Sequence, residues 1–258
     1  MCTPHNITAP SDASPVADSG AASLGADEAL LEDLVTANRI LFDQGVLDAF
    51  GHVSFRHDKD PQRFVMCRNM APGLVTRDDL IEFHLDGAPI NAEGRRVYLE
   101  RFIHGEIYRF RPDVMAVVHS HSPAVLPFGV VKQSPLKPLC HMAGFIGKAA
   151  PVFEIRDVAG DGTNLLITNQ ELGVALARSL GDGTIVLMRG HGSTVVADEL
   201  KKAVYRAVYA EINARAQLQA CGLGEPTFLS EAEALSTMHT IEGQIPRAWG
   251  LWAAAVNR

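Results

Sequence analysis

The stretch YLERFIHGEIYRFRPDVMAVVHSHSPAV, Tyr98 to Val125, constrains the fold of this chain more than any other part of it. YLERFIHGEIYRF repeats its apolar residues at helical period, and the RPD that follows stops a helix, because the residue before a proline is pushed out of the helical region. MAVV then reads as a buried strand. A helix that feeds straight into a buried strand implies a mixed α/β core, and that strand ends in two histidines one residue apart.

Successive strand side chains point to opposite faces, so His119 and His121 share one face and Ser120 takes the other. Two imidazoles side by side suit metal ligation. An H-x-H alone is more often a pair of core histidines, and a catalytic metal site needs about three protein ligands plus an open position. The remaining ligands have to come from elsewhere in the chain.

Along the rest of the sequence, residues 1–25 are rich in Ser, Ala, Pro and Asp without apolar periodicity, which predicts a flexible N-terminal arm before a single domain over 26–258. DEALLEDLVTANRILFDQGV predicts an amphipathic helix with Asp27 as N-cap and Gly45 as its stop. GHVSFRH, RFVMCRN and DDLIEFHLDGAPI read as an antiparallel meander with a DG turn. After the H-x-H come a connection with Pro127, Pro135 and Pro138, a strand at PVFEI, a helix over 171–180 and a strand at TIVLMRGHGSTVVA. A long helix over about 200–220 and a short one at RAWGLWAAAV complete the chain. These elements predict an α/β domain with a mainly antiparallel sheet between helices.

A net charge of −7 leaves no basic surplus to neutralise phosphates, so a nucleic-acid partner is not expected. No run approaches the roughly 20 apolar residues of a membrane span, and the N-terminus has no basic and apolar leader. A cytoplasmic protein without membrane contact is the expectation. Cys2, Cys67, Cys140 and Cys221 form no C-x-x-C pair and read as free thiols.

Two residues stand out as further ligands. His191 lies in LMRGHGSTVVA, where glycines on both sides mark a close backbone approach or a bulge that re-aims a side chain. Glu100, early on the helix that feeds the H-x-H strand, places a carboxylate above the strand end, where it can serve as ligand, general acid or base beside a divalent cation. Glu106 on the same helix reads as a solvated helix-face glutamate. His104 and Tyr108, one turn apart, are expected to pack or hydrogen-bond in the core, and Tyr205 and Tyr209 to pack on a shared face of the long helix.

GHVSFR at 51–56, LERFIHGEIYRFRPDVMAVVHSH at 99–121 and RGHG at 189–192 together resemble the class II aldolase and adducin family, in the family's motif order. The resemblance implies a three-layer α/β/α sandwich with one divalent metal per subunit (zinc, manganese, iron or cobalt), held by His119, His121 and His191. It places the family's acid/base carboxylate on Glu100, and implies a homotetramer with active sites at subunit interfaces.

The sugar-phosphate aldolases of that family seat a phosphate with GNVS, a TPTG-like turn and a serine pair before the glutamate. Here those places hold His52, RNMAPG at 68–73, and Tyr98 with Leu99. Leucine and methionine donate no hydrogen bonds, and an unpaired phosphate in a closed site costs several kcal/mol. Tyr98, His52 and the planar guanidinium of Arg68 suit a flat substrate bearing a carboxylate. His141, in the connection after the H-x-H, is a further substrate-binding candidate.

APGLVT followed by YLERFIHGEIYRFRPD is similar to the branch of the family that decarboxylates hydroxylated aromatic dicarboxylic acids, on benzene or pyridine rings. That likeness implies a lyase whose metal chelates a phenolate and its adjacent carboxylate, with Glu100 as general acid. An aldolase cleaving a non-phosphorylated 4-hydroxy-2-oxo acid would use the same metal, and a third reading is an adducin-like scaffold without chemistry. Retention of Glu100 and all three histidines counts against the last.

Overall fold

The computed structural model describes residues 24–257. The arm expected over 1–25 therefore lies, but for its last two residues, outside the described residues. Leu24 is already buried, and its carbonyl bonds the His57 ring, so the packed structure includes it.

The elements in chain order are α1 (Glu28–Asp43), β1 (His52–Arg56), β2 (Arg63–Cys67), β3 (Leu80–His84), α2 (Arg101–Phe110), β4 (Ala116–Ser120), β5 (Val152–Phe153), α3 (Arg156–Ala159), α4 (Gln170–Leu180), β6 (Ile185–Met188), β7 (Gly192–Ala197), α5 (Leu200–Leu223), α6 (Glu231–Glu242) and α7 (Ile245–Val256). One seven-stranded sheet runs β3-β2-β1-β4-β7-β6-β5, antiparallel except for the β5–β6 pair. α1, α5 and α7 pack together on one face, while α2 and α4 cover the other. This is the expected three-layer sandwich with a mainly antiparallel sheet. No helix among the described residues is long and apolar enough to cross a membrane.

Local chemistry accounts for most boundaries. The Asp27 side chain accepts the Ala29 N–H at 2.8 Å and opens α1, whose Leu31, Leu34, Ile40 and Leu41 are completely buried. Each such side chain contributes roughly 1.5–3 kcal/mol of burial. Gly45, with φ +69°, turns the chain away after the helix.

The structure departs from the sequence reading in several places. α2 begins at Arg101, so Tyr98 and Leu99 precede the helix and Glu100 is its N-cap. TIVLMRGHGSTVVA is two strands, not one: Gly190 takes φ +67° and turns the chain between β6 and β7. PVFEI contributes only Val152 and Phe153 to the sheet. Glu106 is buried, not solvated, because α4 packs over it at Gly173; burial raises its carboxyl pKa, against the pull of Arg109. α6 adds to the expected elements, and its Ser230 and Glu233 form a reciprocal capping box that SEAE announces in sequence.

Candidate active site

Register brings the site together. His119 on β4 pairs across to His52 on β1 and to Thr194 on β7, at the centre of the sheet. His121 follows just past the strand end. The β6–β7 turn reaches the same point because Gly192 lies so close to β4 that a Cβ there would stand 2.1 Å from the Ser120 carbonyl oxygen. That approach carries His191 over the H-x-H pair, with ring centroids 4.9 Å from both His119 and His121.

Glu100 completes the group from the start of α2. Its Oε1 accepts the Ile167 backbone N–H at 2.9 Å, and its Oε2 lies 3.6 Å from His119 Nε2 and 3.4 Å from His191 Nε2. The Nε2 atoms of His119 and His121 are 3.2 Å apart. One ligand atom from each of Glu100, His119, His121 and His191 falls within 4.8 Å of the others.

This donor set fits a divalent metal ion. Burial, then neighbouring His191, holds both His119 and His121 below the usual imidazole range, in the neutral form that a metal requires. His191 is the most telling, since both its ring nitrogens are buried without a hydrogen-bond partner. An imidazole left so costs free energy that a ligated cation relieves.

Beside this group lies a cavity of about 380 Å³. Phe50, Met70, Ala71, Leu99 and Leu166 give it an apolar wall that Tyr98 adjoins, and His52 and Asn69 add polar groups. Phe50 and Leu99 are exposed at its rim. The Tyr98 hydroxyl is turned away from solvent, donating to the Met70 carbonyl, and burial pushes its pKa up. The Nδ1 of His52 lies 2.6 Å from His104 Nε2, and burial followed by His104 holds the His52 ring well below its ordinary pKa.

Two sequence candidates stand apart. Arg68 does not line this cavity: its Nε donates to Asp79 Oδ1 at 2.6 Å, beside two hydrogen bonds from Thr76 to Oδ2. Burial alone would raise the Asp79 pKa, but those bonds outweigh it and hold the carboxyl below its usual range. His141 lines a different cavity, of about 390 Å³, with Tyr205, Tyr209, Arg247 and Trp252. Tyr205 and Tyr209 meet there with ring centroids 4.6 Å apart and planes tilted by 41°, and the Tyr205 hydroxyl donates to the Met142 carbonyl.

Other contributors carried no readable signal. Ile167, which holds Glu100, follows Leu165 at φ +69°, and neither residue type advertises that backbone. Glu211 on α5, buried at 2%, accepts from the Ser122 hydroxyl and the Ala124 N–H and so holds the turn after the H-x-H. Cys67, Cys140 and Cys221 are free thiols, and burial pushes Cys67 up to about 12.

Known proteins agree with this architecture. The family model described as class II aldolase and adducin N-terminal domain matches residues 32–218. Decarboxylase tropJ of Talaromyces stipitatus is 36% identical over 246 residues, covering 86% of this chain and 92% of that protein. A 3,4-dihydroxyphthalate decarboxylase of Arthrobacter keyseri is 30% identical over 207 residues, covering 75% and 79%. Among solved structures, an L-fuculose 1-phosphate aldolase matches with a TM-score of 0.72 at 20% identity, over 85% of this chain and 99% of that one. The matched span, the relatives and the shared sheet together place it: the chain belongs to the class II aldolase and adducin family.

Proposed function

We propose that this protein is a divalent-metal-dependent decarboxylase of a hydroxylated aromatic dicarboxylic acid. The observation that carries the reading is the cavity wall beside the three histidines. Met70, Ala71, Leu99 and Leu166 offer no side-chain donors for a phosphate, and with Phe50 they form an apolar surface against which a flat ring can lie. Relatives named as decarboxylases, one of them of 3,4-dihydroxyphthalate, support the same reaction class.

His119, His121 and His191, with Glu100 beside them, would hold the cation. When bound, it supplies Lewis acidity to an oxygen next to the carbon that gains electrons. Glu100 delivers a proton to the ring carbon bearing the leaving carboxylate, with Oε1 fixed by Ile167 and Oε2 turned to the histidines. The bond to the carboxylate then breaks, its electron pair returns to the ring, and carbon dioxide leaves as aromaticity is restored. His52 and Tyr98 border the substrate. Arg68, engaged by Asp79, supports the 68–73 turn whose Asn69, Met70 and Ala71 line the cavity, and is not a direct anchor.

His141 reaches a site of this kind only by presentation to a neighbouring protomer. The proposal therefore includes a homotetramer with interfacial sites, which light scattering on the purified protein tests. The reaction is tested by metal analysis combined with carbon dioxide release from hydroxylated benzene and pyridine dicarboxylates. Release of carbon dioxide supports the reading; formation of an aldehyde and pyruvate from a 4-hydroxy-2-oxo acid instead replaces it with the aldolase.

A further inference from the structure

Behind the cavity a line of four buried side chains runs into the core. The Tyr108 hydroxyl lies 2.7 Å from Ser54 Oγ, Ser54 Oγ lies 2.6 Å from His104 Nδ1, and His104 Nε2 lies 2.6 Å from His52 Nδ1. Tyr108, Ser54, His104 and His52 are each no more than 2% exposed. His52 is the end that borders the cavity. The reaction as described uses none of the other three.

Each hydroxyl and each neutral imidazole in such a line has one proton to give, and every buried proton needs an acceptor. Burial holds the His104 ring down to about 3, so it stays neutral. If the line ran from His52 inward, His104 would donate to Ser54, and one hydroxyl proton would need another acceptor: that of Tyr108 if Ser54 donates to it, that of Ser54 if Tyr108 donates instead. Among the described residues the Tyr108 hydroxyl is hydrogen-bonded to no side chain but Ser54, and the Ser54 hydroxyl to none but Tyr108 and His104. A buried hydroxyl proton without an acceptor costs about 1–3 kcal/mol.

Run outward, the same line has no such fault. Tyr108 donates to Ser54, Ser54 donates to His104 Nδ1, and His104 Nε2–H donates to His52 Nδ1. The surplus proton then sits on His52 Nε2, the nitrogen not engaged by the line, where a ligand or water in the cavity accepts it. We propose that Tyr108, acting through Ser54 and His104, fixes the tautomer of His52 so that its Nε2–H is a permanent donor to an anionic oxygen of the substrate, a carboxylate in the reading above. Tyr108, Ser54 and His104 are positioning residues. His52 makes the contact, and as a neutral donor of fixed polarity it favours an acceptor and disfavours a substrate group that itself donates.

This inference rests on the proposed substrate class, but its central claim is read without turnover. Ring-nitrogen NMR of the zinc-loaded, histidine-labelled protein, with the His52 signal assigned by its loss in His52→Asn, is expected to show Nε2 protonated and Nδ1 bare. Salicylate, as the simplest hydroxyaromatic carboxylate, is expected to shift that Nε2–H signal. In Tyr108→Phe the His52 signal should divide between tautomers, and salicylate affinity should fall about 10-fold, the loss of one hydrogen bond, at unchanged zinc content. Ser54→Ala makes the same cut nearer the site if Tyr108→Phe fails to fold.

A proton on His52 Nδ1 in the wild-type protein overturns the proposal whatever the variants do. So does a His52 tautomer that both variants leave unchanged, or a salicylate titration that leaves His52 unmoved. Carbon dioxide release with Nδ1 protonated would remove the donor and keep the reaction. The predicted tautomer and salicylate response without release from any hydroxyaromatic acid would do the reverse.

Discussion

The Ile167 backbone N–H donates to Glu100 Oε1 at 2.9 Å, across 67 residues of sequence. That bond ties the start of α2 to the segment before α4, and leaves Glu100 Oε2 alone facing the imidazoles of His119 and His191. One oxygen is structural and the other is free for chemistry.

Glu100→Gln separates those two tasks. The amide oxygen still accepts from Ile167, so the fold and the three imidazoles should survive, while the exchangeable acid proton is gone. Turnover is expected to fall about 10²- to 10⁴-fold, the usual worth of a positioned acid. Steady-state rates measured at matched metal content check it, and a variant that runs at the wild-type rate removes Glu100 as the acid.

The unpartnered nitrogens of His191 predict that metal binding stabilises the fold. A ligand that binds only the native state at about 100 times its dissociation constant adds about 2.7 kcal/mol. Chelator treatment should lower the melting temperature, and zinc or manganese should restore it. His191→Ala, which keeps two imidazoles and a carboxylate, should respond much less to either, as thermal scans with and without chelator will show.

How far the sequence discloses this site depends on which force places each part. His119, His121 and His191 are readable because strand alternation and flanking glycines are local properties, and the sheet then does what those properties require. The start of α2 misleads, since YLERF has helical spacing but Tyr98 stands before the helix, its hydroxyl bonded to the Met70 carbonyl. Glu106 misleads for a related reason: a helix-face glutamate looks solvated until α4 is known to cover it. Arg68 is recognisable as a carboxylate binder, but the carboxylate it holds is Asp79, eleven residues on. Ile167 and Glu211 reach the site through tertiary contacts alone, so nothing in their neighbours announces them.

Gly192 is required by the approach of the β6–β7 turn to β4. In Gly192→Ala the new methyl meets the Ser120 carbonyl oxygen at 2.1 Å, a backbone atom that has no rotamer to escape into. A loss of about 3 kcal/mol is expected, together with weakened metal retention as His191 shifts. Gly250→Ala in α7 is the matched control, because no atom lies within 4 Å of its Cβ position. It should gain about 0.5–1 kcal/mol from helix propensity. Urea denaturation of the two variants gives both signs in one experiment.

Glu211 holds the loop behind the H-x-H pair through Ser122 and Ala124. Glu211→Ala strands two buried donors and releases the exposed Arg215 side chain to solvent, which should cost about 2–5 kcal/mol, nearly all of it from the donors. Glu211→Gln keeps one acceptor oxygen and should lose less. If the loop positions His121, metal affinity falls in the same order as stability, which competition with a chromophoric chelator measures.

His104 makes stability depend on pH. Burial lowers its folded pKa from 6.5 to about 3, so below pH 6.5 the unfolded chain takes up a proton that the native protein refuses. Stability attributable to this ring is therefore complete above pH 6.5 and is lost as the pH falls toward 3, by about 1.4 kcal/mol per pH unit. His104→Gln removes the titrating group, and its amide can still bond both Ser54 and His52. The variant should start less stable at neutral pH but lose stability less steeply between pH 6 and 4.5, by close to one proton in the slope. Urea midpoints at several pH values, analysed by linkage, measure that difference, and parallel slopes for the two proteins would show that His104 is not held neutral.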